Sequence, residues 1–135
     1  TVKVTSNTEN TVEFFAAPNQ KAVLVPDTVI VNGKIYAVTE INAKAFAGKN
    51  KIRTVTIGKN VKRIKKKTFK GTAVTKLIVK SKKLTKKSVK GSLKGSKIKT
   101  IKVKVGKKKL NKKYVKMYKK FFTKKNAGRK VKIIS

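Results

Sequence analysis

Between Val38 and Lys83 the chain repeats itself: the pattern of 38–60 returns in 61–83. Val38, Ile41, Phe46 and Gly48 recur as Val61, Ile64, Phe69 and Gly71. The apolar group Ile52, Val55, Ile57 recurs as Val74, Leu77, Val79. A fixed period of about 20 to 30 residues marks a solenoid, because one such unit buries little alone and must stack on its neighbours. The period therefore constrains the fold more than any local propensity does.

Within each unit, Thr54–Ile57 and Lys76–Val79 are β-branched with apolar residues at every second position, which predicts short strands. Ile41–Phe46 and Ile64–Phe69 have helical or turn-like spacing, closed by Gly48 and Gly71. Stacking lays Val38, Ile41, Phe46, Ile52, Val55 and Ile57 over Val61, Ile64, Phe69, Val74, Leu77 and Val79. A third, degenerate copy follows. Leu93, Gly95, Ile98, Ile101 and Val103 match Phe69, Gly71, Val74, Leu77 and Val79 at a constant offset of 24, whereas Leu84 follows Val61 at 23, so one residue has been inserted between them. Upstream in that copy the Ile64 position falls on Lys87 or Ser88. Local irregularity is expected there, with Val89 standing in for the missing apolar residue.

Residues 1–37 read as a β-rich N-terminal cap. Val2 and Val4 alternate with polar residues, and Thr11–Ala16 and Ala22–Val25 are further strands. Asn32-Gly33 lies between Val29-Ile30-Val31 and Ile35-Tyr36-Ala37-Val38. Both turn residues tolerate positive φ, which predicts a type I′ hairpin. Val23, Val25 and Val29 have the spacing of Val55, Ile57 and Val61, so a partial repeat begins at Ala22 with the hairpin inserted in it. Residues 107–135 read as a C-terminal cap. Leu110, Tyr114, Met117, Tyr118 and Phe121 share one helical face over a helix at 112–125, with Asn111 as N-cap and Gly128 after its end. Val131, Ile133 and Ile134 make a last strand. The expected fold is thus α/β: a repeat solenoid of short parallel strands over 38–106 between two caps, all one structural domain.

The charge is lopsided. Residues 1–40 carry three Lys and all four acids; residues 41–135 carry 36 basic side chains and no acid. Only Arg53, Arg63 and Arg129 are Arg. Lys is a hydrated point charge, whereas the Arg fork reads phosphates and base edges, so this surface predicts nonspecific attraction to polyanions. With no His and no Cys, imidazole bases, thiolate nucleophiles and N/S metal sites drop out, and no catalytic, metal or cofactor site is expected. Glu9 and Glu13 flank a turn without a cleft to work in. Lys70-Gly71-Thr72 is similar to the end of a phosphate loop but lacks the preceding glycine pattern. No apolar run approaches the length a membrane-spanning helix needs, so no transmembrane segment is predicted. The chain starts at Thr1, which reads as a mature or trimmed form from which a signal peptide has gone.

These residues resemble the BspA-like (Treponema-pallidum-type) leucine-rich repeats of bacterial surface proteins, whose unit looks like L-x-x-I-x-I-P-x-x-V-x-x-I-G-x-x-A-F-x-x-C. Val25-Pro26-Asp27-Thr28-Val29 is similar to its I-P-x-x-V segment, Ala45-Phe46 to its A-F pair, and Val61-x-x-Ile64 to its V-x-x-I. Gly58 stands where Pro is usual, Asn42 and Lys65 where Gly is usual, and Thr68 where Ala is usual. The likeness covers roughly residues 22–106, and the Lys-rich helix and strand after it also look like the way such chains end. The resemblance implies a leucine-rich-repeat protein that is exported, extracellular or cell-wall-associated. It also implies a non-enzymatic adhesion module, some relatives binding host extracellular proteins.

On the strands, Val55, Ile57, Leu77, Val79, Ile101 and Val103 face the core. The outward set is then Thr54, Thr56, Lys76, Ile78, Lys80, Thr100, Lys102 and Lys104. Lys76, Ile78, Lys80, Lys102 and Lys104 are the expected ligand contacts on that face. The expected partners are anionic polymers (teichoic acids, sulfated glycans, acidic mucins, anionic lipid headgroups) or host extracellular proteins. Two other readings compete: a general polyanion or nucleic-acid binder, and a structural spacer of a larger surface protein. For nucleic acid there is charge alone; against it stand the Lys bias and the lack of aromatics among the basic repeats.

Overall fold

The computed structural model describes residues 1–135. Its strands are β1 (Val2–Ser6), β2 (Thr11–Phe14), β3 (Ala22–Val25), β4 (Thr28–Val31), β5 (Lys34–Ile41), β6 (Thr54–Ile57), β7 (Arg63–Ile64), β8 (Lys76–Val79), β9 (Thr100–Val103) and β10 (Lys132–Ile134). Its helices are α1 (Lys108–Phe121) and α2 (Lys124–Ala127), with a single 3₁₀ turn at Lys87–Val89.

Five strands form a wholly parallel sheet in the order β10-β9-β8-β6-β3. Val55 pairs with Leu77 and Leu77 with Ile101, as the repeat spacing predicts. The pairings Ala22↔Thr54 and Thr100↔Lys132 cross longer stretches, since the first intervening segment holds the β4–β5 hairpin and the last holds α1. Each insertion leaves the register of the ladder intact.

The core follows the period. Val38, Ile41, Phe46, Ile52, Val55 and Ile57, and their six counterparts in the next unit, are each at most 1% exposed. The segments between Ile41 and Phe46 and between Ile64 and Phe69 resolve as turns, not helices. The turns end at Gly48 and Gly71, both at φ 72°, a left-handed conformation that costs a residue with a Cβ about 1 kcal/mol or more. In the degenerate third copy the turn tightens into the 3₁₀ segment, and Val89 is fully buried in the place left by the missing isoleucine.

The second sheet runs β1-β2-β5-β4, with β7 also paired to β5. Asn32 and Gly33 have φ of 52° and 76°, as the type I′ hairpin between β4 and β5 requires. The β2–β5 pairing is parallel, Val12 opposite Val38 and Phe14 opposite Ile41, which sets the first strands beside the first full repeat. Phe14 therefore lies 6.0 Å from the Phe46 ring, at the head of an aromatic column.

Two features of the C-terminal unit differ from expectation. The first helix spans 108–121 instead of 112–125, because Asn111 is not its N-cap. From inside the first turn its side-chain oxygen accepts from the backbone N–H groups of Val105 and Gly106, and its amide donates to the Gly106 carbonyl. It thus ties down the approach, and Lys107 takes the N-cap position. The helix then breaks at Phe122, and a short second one starts at Thr123, whose hydroxyl accepts from Asn126 N–H at 3.0 Å. Gly128 ends that second helix at φ 95°. Tyr118 is fully buried and donates to the Ser81 carbonyl at 2.6 Å, fixing α1 to the repeats. Burial pushes the Tyr118 pKa well up.

Candidate functional site

The open face of the parallel sheet is built by strand alternation. Val55, Leu77 and Ile101 point into the core, so Thr56, Ile78 and Lys102 point away, side by side in one register row. Lys76 and Thr100 form a second row with Thr54. Lys80 and Lys104 follow their strands directly and carry the ladder one step on, donating their N–H groups to the Ile57 and Val79 carbonyls at 2.9 and 2.8 Å. The fold thus brings Lys76, Ile78, Lys80, Lys102 and Lys104 to one face. Sequence reasoning missed that β10 extends this face, with Lys132 beside Thr100 and Ile134 beside Lys102. At the other edge Leu24 lies beside Thr56 and is 57% exposed. The face is therefore mixed, cations alternating with aliphatic side chains.

Charge elsewhere is almost entirely unpaired. The molecule holds one ion pair, Lys65 Nζ to Glu13 Oε2 at 2.8 Å. Glu13 is buried on β2, and Asn42 donates to its other oxygen. Burial pushes the Glu13 carboxyl up, but the hydrogen bonds from Lys65 and Asn42, with the charges of Lys65 and Lys3, outweigh it. The net result is a pKa below the ordinary value. Glu9 lies exposed in the preceding turn, so the two carboxylates share no cleft. Thr72 is buried and its hydroxyl donates to the Phe69 carbonyl at 2.8 Å, which leaves Lys70-Gly71-Thr72 as a closed turn with no phosphate cradle.

A groove of about 900 Å³ opens at the turns of the repeats, lined by segments 63–66, 87–94 and 124–128 and by no residue of the five parallel strands. Eight of its fourteen lining residues are Lys or Arg; none is acidic and none aromatic. The Lys65–Lys67 and Lys86-Lys87 runs are contiguous in the sequence. Their convergence with Lys124 and Lys125 is not legible there, because α2 reaches the groove only through tertiary contacts. Asn126 places it there, its carbonyl accepting from Gly91 N–H at 2.7 Å and its amide donating to the Lys86 carbonyl at 2.8 Å.

A parallel sheet built at one strand per unit, with turns stacked in register behind it, is the construction of a leucine-rich-repeat protein. The chain belongs to the BspA-type leucine-rich-repeat family: the model of that repeat region matches residues 31–133, in six copies. The match runs past residue 106 to take in α1, α2 and β10, which agrees with β10 pairing in register on the repeat sheet. No curated protein and no solved structure matches the chain. Repeats of this family are typically non-enzymatic scaffolds, and the family is one of surface or protein-interaction modules. No helix is long and apolar enough to cross a membrane.

Proposed function

We propose that the chain is a non-enzymatic binding module of a bacterial surface or secreted protein, working outside the cell. In this reading it is a solenoid, with residues 1–37 and 107–135 as its caps. Its open sheet face contacts an anionic polymer of the cell wall or host, or an acidic host extracellular protein. The observation that carries this is the register row Thr56, Ile78, Lys102, flanked by Lys76, Lys80 and Lys104 with no carboxylate paired to them. Lysines at fixed spacing around a half-buried aliphatic side chain offer both charge and a small apolar contact. The 36 basic side chains after residue 40, of which only Lys65 is ion-paired, cost stability through self-repulsion, which an anionic partner relieves.

The test is charge-matched. One variant converts Lys76, Lys80, Lys102 and Lys104 to Glu; the other converts Lys108, Lys112, Lys116 and Lys119, which are exposed on α1. Both lower net charge equally, so bulk attraction falls alike. Affinity for heparin should drop at least about tenfold more in the sheet variant, the loss expected from several counterion-releasing contacts. Equal losses would mean that no site exists on the sheet.

A further inference from the structure

The groove at the turns is more than a patch of charge, because its cations recur with the repeat. Lys67 N–H donates to the Gly91 carbonyl at 2.9 Å and Gly71 N–H to the Gly95 carbonyl at 3.3 Å, so the second and third units stack here in the register of the sequence repeat. That register sets Arg63 beneath Lys87, Lys66 beneath Lys90 and Lys70 beneath Lys94. Gly91 N–H and Leu93 N–H then donate to the Asn126 and Ala127 carbonyls, which brings Lys124 and Lys125 in as the next layer. Layers of parallel β structure are about 4.8 Å apart, so the backbone positions that carry these cations recur at about that spacing.

The layers pack closely at two glycines of the groove. A Cβ on Gly91 would stand 2.7 Å from Lys66 Cγ, and a Cβ on Gly128 would stand 2.7 Å from Lys94 Cβ. The Lys66 stem therefore lies across the bare Gly91 of the following layer, and at Gly128 it is the backbone and Cβ of Lys94 that pack close. The polar groups of the floor are already committed. Gly91 N–H is bonded to Asn126, Asn126 Nδ2 to the Lys86 and Phe121 carbonyls, and the Ser88 hydroxyl to Thr85. Recognition in the groove thus falls to the cations alone.

We infer that this groove binds a thin linear polymer whose backbone carries phosphate groups in close series, lying along the stack of repeats. A ladder of cations is matched by a chain with its own repeating negative charge, and multivalent engagement makes such binding depend on chain length. The groove has no aromatic side chain and only two apolar ones, so bases or sugar rings find nothing to stack on. A polymer that is mostly phosphate loses nothing by that. The site is distinct from the sheet face, and the inference stands or falls separately from the reading of that face.

Inorganic polyphosphate is the probe, titrated calorimetrically against the full chain at several salt concentrations. The groove variant is Lys66→Gln, Lys90→Gln, Lys94→Gln. A second groove variant, Lys87→Gln, Lys124→Gln, Lys125→Gln, spares the lysines that pack on glycines and so keeps the test open if the first folds poorly. The charge-matched control is Lys76→Gln, Lys80→Gln, Lys102→Gln on the sheet. Either groove variant should lose about tenfold in affinity and roughly three units of salt slope, while the control changes by about twofold or less. Monophosphate at equal phosphate content should bind far more weakly than the polymer. Equal losses in groove and sheet variants would overturn the site, and loss in the sheet variant alone would move the binding to the sheet. Polyphosphate binding no better than monophosphate would overturn the linear polymer. Heparin depending on the groove as strongly as polyphosphate would overturn the preference for a chain without rings.

Discussion

Phe46 and Phe69 stack with ring centroids 5.0 Å apart and planes 21° from parallel. They hold the same position in successive repeats, so this one contact expresses the repeat period as a distance. The spacing is close to the roughly 4.8 Å between neighbouring parallel strands, which lets the rings and the strands β6 and β8 advance together. In the third unit the same position is Leu93, also fully buried, and the aromatic column ends there.

Truncating Phe69 to Ala should cost about 3–5 kcal/mol in urea-monitored unfolding, the range for a fully buried Phe. Phe69→Leu should cost much less, since Leu93 shows that the next layer accommodates leucine at this position. Because the rings touch, the Phe46→Ala and Phe69→Ala effects should not add. Additive losses would mean that the two layers are energetically independent.

Tyr118 tests how the C-terminal unit is held. Tyr118→Phe removes the donor to the Ser81 carbonyl inside a buried site and should cost about 1–2 kcal/mol. Deleting residues 107–135 removes Tyr118, Phe122 and Ile133 from the core and uncovers the β9 edge. The truncated chain should aggregate or lose cooperative unfolding. A truncated chain that stays monomeric with unchanged melting would show that the unit shields nothing.

The acid side of the pH–stability curve should depend on Glu13. Its folded pKa lies below the ordinary value near 4.5. The folded state therefore holds fewer protons there than the unfolded chain does. The resulting stability is fully present above the unfolded pKa and is lost as pH falls through the folded one. Glu13→Gln should be less stable than the parent at neutral pH and should converge with it in acid. A constant difference down to pH values below the folded pKa would remove Glu13 from the account.

Salt should stabilise the protein. Only Lys65 has an ion-pair partner, so added salt screens repulsion among the remaining cations far more than it weakens attraction. Melting temperature should rise between low salt and about 0.5 M sodium chloride. A fall would mean that the charges are better compensated than their positions indicate.

The features that were legible in the sequence are those a short window or a fixed period can carry. Thr54–Ile57, Lys76–Val79 and Thr100–Val103 fall where the period puts them, and Asn32-Gly33 turns as its residue types require. What escaped depends on contacts between distant segments. Glu13 meets Lys65 only because β2 pairs in parallel with β5, and no local pattern announces that pairing. Asn111 looked like a helix cap by type and position, yet its side chain was claimed by Val105 and Gly106. The sheet lysines could be listed by strand alternation. The groove could not, because packing Lys66 on Gly91 and Lys94 on Gly128 needs the offsets between layers, and the last of those crosses α1.

The central claim is that stacking of the repeats organises an excess of lysine into defined faces. Lysine side-chain NMR shifts during titration with an anionic polymer test it most directly. The account predicts that perturbations cluster on contiguous lysines: Lys76, Lys80, Lys102 and Lys104 with heparin, and Lys66, Lys90 and Lys94 with polyphosphate. Lysines on the exposed side of α1, such as Lys112 and Lys116, should barely move. Shifts spread evenly over all exposed lysines, in proportion to exposure alone, would contradict it.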